Sequence, residues 1–282
     1  MNLFDPSHAQ WWADGLLRAS VQGGLVILIA LLVLRLLPQI PAAAVVWVWR
    51  IVLLKMLVAV VWPLSVEVAR GDTVPGIGAV TGRGAMLWPA MILGLSAVGA
   101  VLWLTFLGLD WRAAQRLIQS AKPSRRSPII AKMRQMATSL GLNEVPELYE
   151  SGRAARPMLI NARLVPWPGT RSIIIVPSLL LDQESDSAIG AVLAHELAHL
   201  KRRDLSWAWL STAVGAIFFF HPLVWLAQSQ LRRAQDEACD ALALQTAPES
   251  AADYGRLLLR IACGPRIQSL PEPMAAGVVE SF

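Results

Sequence analysis

Apolar residues gather into long runs along this chain, and the first three runs are long enough to cross a bilayer. Val21 to Leu37 is apolar and is closed by Pro38. With Leu16 and Leu17 ahead of it, this run reaches the roughly 20 residues that span about 30 Å of hydrocarbon. Val45 to Trp62 is the second run, with Trp47, Trp49 and Trp62 near its ends, where indole rings anchor at membrane interfaces. Met86 to Leu109 is the third, with Trp88 and Trp103. The pattern predicts an α-helical membrane domain over residues 1–110, with transmembrane helices at about 16–37, 45–62 and 86–109. The acidic N-terminus lacks the basic flank of a signal peptide, so the first span is expected to be retained.

After the third run the pattern changes. Ser127 to Leu140 is amphipathic and stops at Gly141, as a surface helix does. Glu147 to Ser151 alternates and reads as a strand, and Pro157 to Ile160 reads as another. Ser172 to Val176 is a third, stopped by Pro177. Asp182, Gln183 and Glu184 are expected to open a further helix, with acidic residues in its first turn. Residues 111–282 therefore read as an α+β domain, a small mixed sheet beside a helix.

Composition supports a membrane protein. Of 282 residues, 55% are hydrophobic and 16% charged, against about 25% charged in ordinary soluble proteins. Mean hydropathy is +0.49. The net charge of +5 is read as membrane orientation, with no direct nucleic-acid partner. Arg112, Arg116, Lys122, Arg125, Arg126, Lys132 and Arg134 follow the third run, which predicts a cytoplasmic side there and an external N-terminus. Arg50 and Lys55 lie inside the second run. Arg50 is expected to snorkel to the interface, and Lys55 to snorkel or to meet another span. The two cysteines, Cys239 and Cys263, imply no disulfide framework and are expected as reduced thiols.

The chemistry lies in Ala194-His195-Glu196-Leu197-Ala198-His199-Leu200, a His-Glu-x-x-His motif. On a helix, His195 and His199 project from one face, one turn apart. Imidazoles so spaced can hold one tetrahedral ion at about 2.0–2.1 Å, which favours zinc. Glu196 sits beside that ion and is the candidate general base for an attacking water. A third ligand is needed. The best acidic cluster is Gln235-Asp236-Glu237-Ala238-Cys239-Asp240, beyond the apolar segment Trp207 to Gln228. If that segment crossed the membrane once, the acids and the histidines would lie on opposite faces. Its flanks are both basic, Lys201, Arg202 and Arg203 before and Arg232 and Arg233 after, and His221-Pro222 interrupts it. It is expected to be a re-entrant or interfacial helical hairpin over 207–228 that returns the chain to the metal. Asp236 is expected as the third ligand, with Glu237 as its rival. Asp240, on the same face as Asp236, is expected to accept an N–H from a ligand histidine. His221 reads as a structural histidine at the helix break, with a donor role toward the reacting carbonyl as the alternative.

These residues match a known pattern. His195-Glu-Leu-Ala-His199-Leu-Lys-Arg-Arg-Asp204, Phe220-His-Pro-Leu-Val-Trp225, Leu231-Arg-Arg, Ala238-Cys-Asp240 and Tyr254-Gly-Arg-Leu-Leu-Leu together resemble the BlaR/MecR family of membrane antirepressor metallopeptidases. More distantly the chain is similar to the HtpX-like and CAAX prenyl membrane proteases. The resemblance implies a gluzincin-like zinc peptidase. It implies a cell-envelope signal and cleavage of a cytoplasmic repressor or of the chain itself, with the lipid bilayer as a constant partner and a homodimer admissible. Two departures stand out. The family usually carries Glu where Asp236 stands. Nothing like the Ser-x-x-Lys of a beta-lactam-acylated sensor is in the right place, so the signal is expected to enter through a further domain of a longer chain or through a partner. The competing readings are a signalling scaffold with structural zinc and a general membrane-protein quality-control protease.

Overall fold

The computed structural model describes residues 6–61, 83–161, 172–246, 255–256 and 259. Trp62 and residues 63–82, Tyr254 and Cys263 lie outside the described residues.

The described chain is mostly helical and forms two compact units. The first comprises Met1–Ile40, Trp47–Thr105 and Ala213–Leu231. Its long helices are α1 (Pro6–Leu36), α2 (Ala42–Val61) from Trp47 onward, and the first part of α3 (Arg83–Ser120). Gly15–Leu36, Ala42–Val60 and Gly94–Ser120 are each long and apolar enough to cross a membrane. α3 outruns the expected end at Leu109, because Asp110 to Ser120 changes in polarity but contains no Gly or Pro to stop a helix. Arg112 and Arg116 therefore lie on the end of this helix.

Two expectations for the second run are corrected. Trp49 is 1% exposed and belongs to the core of its unit, whereas Trp47 is half exposed. Arg50 does not snorkel to the surface: it is 3% exposed, with its guanidinium carbon 5.2 Å from the centre of the Trp47 ring, a cation–π contact. A helix that is apolar all round gives no sign of which face is buried.

Within the same unit, glycines admit bulky neighbours. A Cβ at Gly99 of α3 would overlap the Phe219 ring, and one at Gly24 of α1 would sit 3.4 Å from Nε2 of His221. His221 donates from Nε2 to the Ser20 carbonyl at 3.2 Å.

The second unit comprises Pro41–Val46, Phe106–Thr212 and Arg232–Phe282. It holds a four-stranded mixed sheet in the order β1-β2-β4-β3, from β1 (Lys122–Pro123), β2 (Glu147–Ser151), β3 (Met158–Asn161) and β4 (Ser172–Pro177). β2 and β4 are parallel, and the other pairs are antiparallel. The two-residue β1 is too short to carry a periodic signal, and the sequence pattern does not predict it.

β4 is covered on both faces. Ile174 and Val176 join Ile129, Met133 and Met136 of α4 (Ser127–Ser139) and Ile189, Leu193 and Leu197 of α6 (Asp186–Arg202). Ile173 and Ile175 face the other way and pack with Leu117 and Ile118. Alternation along the strand turns its apolar side chains to two cores, which is why it reads as a continuous apolar run. α4 is capped by Leu140, and the chain turns away at Gly141, whose φ of +67° suits a residue without a Cβ.

The start of the motif helix also differs from expectation. Asp182 and Gln183 end a short helix, α5 (Ser178–Gln183), and Glu184 is extended. α6 begins afterwards, with Ser185 as N-cap accepting from the Ala188 N–H at 3.2 Å. Leu181 is buried, so the Leu-rich stretch gains its own helical turn by burying that side chain.

Candidate metal centre

α6 carries His195, Glu196 and His199 on a helix whose other positions are largely buried. It ends at Arg203, which adopts the left-handed conformation at φ 56° and donates its N–H to the carbonyls of His199 and Leu200. Arg203 is thus a cap, one residue beyond the last turn. α7 (Asp204–Ile217) begins at once. After Phe218 to His221, α8 (Pro222–Thr246) carries Asp236, Glu237, Cys239 and Asp240.

The imidazoles of His195 and His199 point their Nε2 atoms at each other, 3.2 Å apart. Each Nδ1 is taken by a carboxylate. His195 Nδ1 lies 2.7 Å from Asp240 Oδ1, and His199 Nδ1 lies 3.0 Å from Asp204 Oδ2. With Nδ1 as the donor in both rings, each Nε2 presents a lone pair. Two facing lone pairs at this distance repel unless a cation or a proton lies between them. Nitrogens about 2.0–2.1 Å from one tetrahedral ion stand about 3.3–3.4 Å apart, close to the spacing found.

Asp236 is the third candidate donor. Its Oδ1 is 3.9 Å from His199 Nε2, and its side chain is 62% exposed. One ligand atom from each of His195, His199 and Asp236 falls within 4.8 Å of the others. The donor set, two imidazoles and a carboxylate, fits zinc. Glu196 is buried at 8% exposure. Glu237 is exposed and joins no such group among the described residues. His221 is engaged with the Ser20 carbonyl.

Burial would lower the His195 pKa. The hydrogen-bonded Asp240, with Glu196 and Asp236 nearby, overcomes this and holds it above the ordinary histidine value. Burial pushes the Cys239 thiol up, and the neighbouring Asp204 carboxylate adds to the shift. Cys239 is a buried free thiol.

Asp204 reaches the His199 ring at Nδ1, a contact that the motif pattern alone does not predict. A signal for it exists: a carboxylate five residues after the second histidine, just past the end of the helix. The left-handed turn at Arg203 that aims it back is not legible, because Arg gives no hint of that conformation.

The family model described as BlaR1 peptidase M56 matches residues 84–278. The chain belongs to this family. The chain is similar to the methicillin resistance mecR1 protein of Staphylococcus aureus (strain Mu50 / ATCC 700699), 27% identical over 70 residues, or 25% of this chain and 12% of that protein. The regulatory protein BlaR1 of Bacillus licheniformis is 27% identical over 92 residues, 31% of this chain and 15% of that protein. The chain is also similar to the protease HtpX homolog of Bacillus subtilis (strain 168), 28% identical over 145 residues, 48% of this chain and 47% of that protein. The matches span less than half the length of each of these relatives. The family assignment and the three apolar helices make this M56 member a membrane peptidase homologue.

Proposed function

We propose that this chain is a membrane-embedded zinc endopeptidase acting in signal transduction, which cleaves a cytoplasmic transcriptional repressor, itself, or both. The observation that carries this reading is the convergence of His195, His199 and Asp236. These three residues would hold the ion. A bound zinc would make water more acidic and polarise a carbonyl. Glu196 would take the proton of the attacking water and pass it to the departing amine. Asp240 keeps the His195 ring oriented through Nδ1.

Residues 1–110 form the membrane domain in this proposal and residues 111–282 the peptidase domain, with 207–228 as a hairpin that does not cross the bilayer. The basic residues after the third span favour a bacterial inner membrane, a cytoplasmic active site and an external N-terminus. The relatives named mecR1 protein and BlaR1 support a regulatory substrate.

The test is cleavage of a co-expressed repressor, and of the chain itself, by the wild type and by Glu196→Gln. The variant is expected to keep its metal and lose cleavage. Cleavage at the wild-type rate would refute Glu196 as the base. A scaffold with structural zinc is the second reading, favoured by the shorter Asp236 and its 62% exposure. It predicts zinc without turnover in the wild type.

A further inference from the structure

We infer that Asp204 is a positioning residue for the metal centre, fixing the His199 ring and tying it to α8. The inference rests on the zinc-site reading above. A single oxygen, Asp204 Oδ2, meets three groups: His199 Nδ1 at 3.0 Å, Arg202 Nε at 3.2 Å and Cys239 Sγ at 3.7 Å. The carboxylate is buried, at 5% exposure. Arg202 compensates its charge, and the S–H of Cys239 is a further weak donor.

The geometry depends on the elbow. Arg203 is the one non-glycine residue with positive φ among the described residues. This turn ends α6 and starts α7 at Asp204, so the carboxylate returns to the histidine five residues earlier. Cys239 lies between Asp236 and Asp240 on α8. Asp204 therefore touches both the helix that supplies the histidines and the helix that supplies the acids. Each histidine then has its own carboxylate: Asp240 for His195 and Asp204 for His199. This orients both Nε2 lone pairs toward one point and raises ligand basicity.

The same groups, His199, Asp204 and Cys239, also lie close enough to form a second donor set. Positioning and ligation make different predictions. The experiment uses the full chain in detergent, with zinc affinity measured by chelator competition and cobalt(II) as a spectroscopic probe. Asp204→Asn is close in shape and keeps one acceptor oxygen. It is expected to weaken zinc binding about 10–100-fold and to shift the cobalt ligand-field bands, with one metal per chain retained. Cys239→Ser is expected to leave the cobalt spectrum unchanged.

An unchanged affinity and spectrum in both Asp204→Asn and Asp204→Ala would overturn the inference. So would a thiolate-to-cobalt charge-transfer band that disappears in Cys239→Ser, since Cys239 and Asp204 would then be ligands. His195→Ala and His199→Ala separate the two levels. If they abolish binding while neither Asp204→Asn nor Asp204→Ala weakens it, only the positioning role fails. A wild-type chain that binds no metal overturns both.

Discussion

Asp240 Oδ1 lies 2.7 Å from Nδ1 of His195, although 45 positions separate them in the chain. The contact requires the second half of α8 to come within side-chain reach of α6 at His195. Asp240→Ala is expected to weaken zinc binding about 10–100-fold by freeing the His195 ring. Chelator competition with the purified chain measures it, and affinity equal to wild type would remove Asp240 from the centre.

The acidic cluster separates by reach, since Asp236 and Glu237 are both exposed. Asp236 approaches His199 Nε2 to 3.9 Å, and Glu237 joins no donor group among the described residues. Asp236→Ala is expected to lose more zinc affinity than Asp240→Ala, and Glu237→Ala to lose none. The reverse order in the same titration would make Glu237 the third ligand.

The His195 value, raised by Asp240 against the effect of burial, sets a pH dependence. In the metal-free chain, a raised folded value stabilises the fold fully below the ordinary histidine value, near 6.5. That contribution is lost as pH rises through the raised value. Zinc has the opposite trend, because a proton on Nε2 must leave before the metal binds. Zinc affinity is therefore expected to rise with pH through the raised value. Asp240→Asn should move the rise to lower pH, as read by zinc titrations at a series of pH values.

Close packing at Gly99 makes a separate stability prediction. A Cβ there meets the Phe219 ring. Gly99→Val is expected to cost about 1–3 kcal/mol, the usual range for overpacking. Thermal unfolding in detergent checks it, with Gly94→Val as a control because nothing lies within 4 Å of a Cβ there.

Periodicity reveals α4, its stop at Gly141 and the strands β2, β3 and β4, because side-chain alternation and glycine punctuation are local properties. Other features depend on partners distant in sequence. Trp49 and Arg50 read as interfacial residues and are buried instead, since an apolar helix has no distinctive face. Asp182 to Glu184 resemble a helix start, but the Ser185 cap fixes the start of α6 later. In the centre, the paired histidines follow from helical spacing alone. Asp204 depends on the Arg203 turn, a backbone choice that its side chain does not encode.

If His195 and His199 share one ion with a carboxylate of α8, the number of zinc ions per chain must follow the imidazoles and ignore the base. The most direct test is zinc content, by elemental analysis after dialysis, for wild type, Glu196→Gln and His195→Ala. One zinc is expected in the first two and none in the third. Zinc retained by His195→Ala, or absent from a folded wild type, would contradict the shared site.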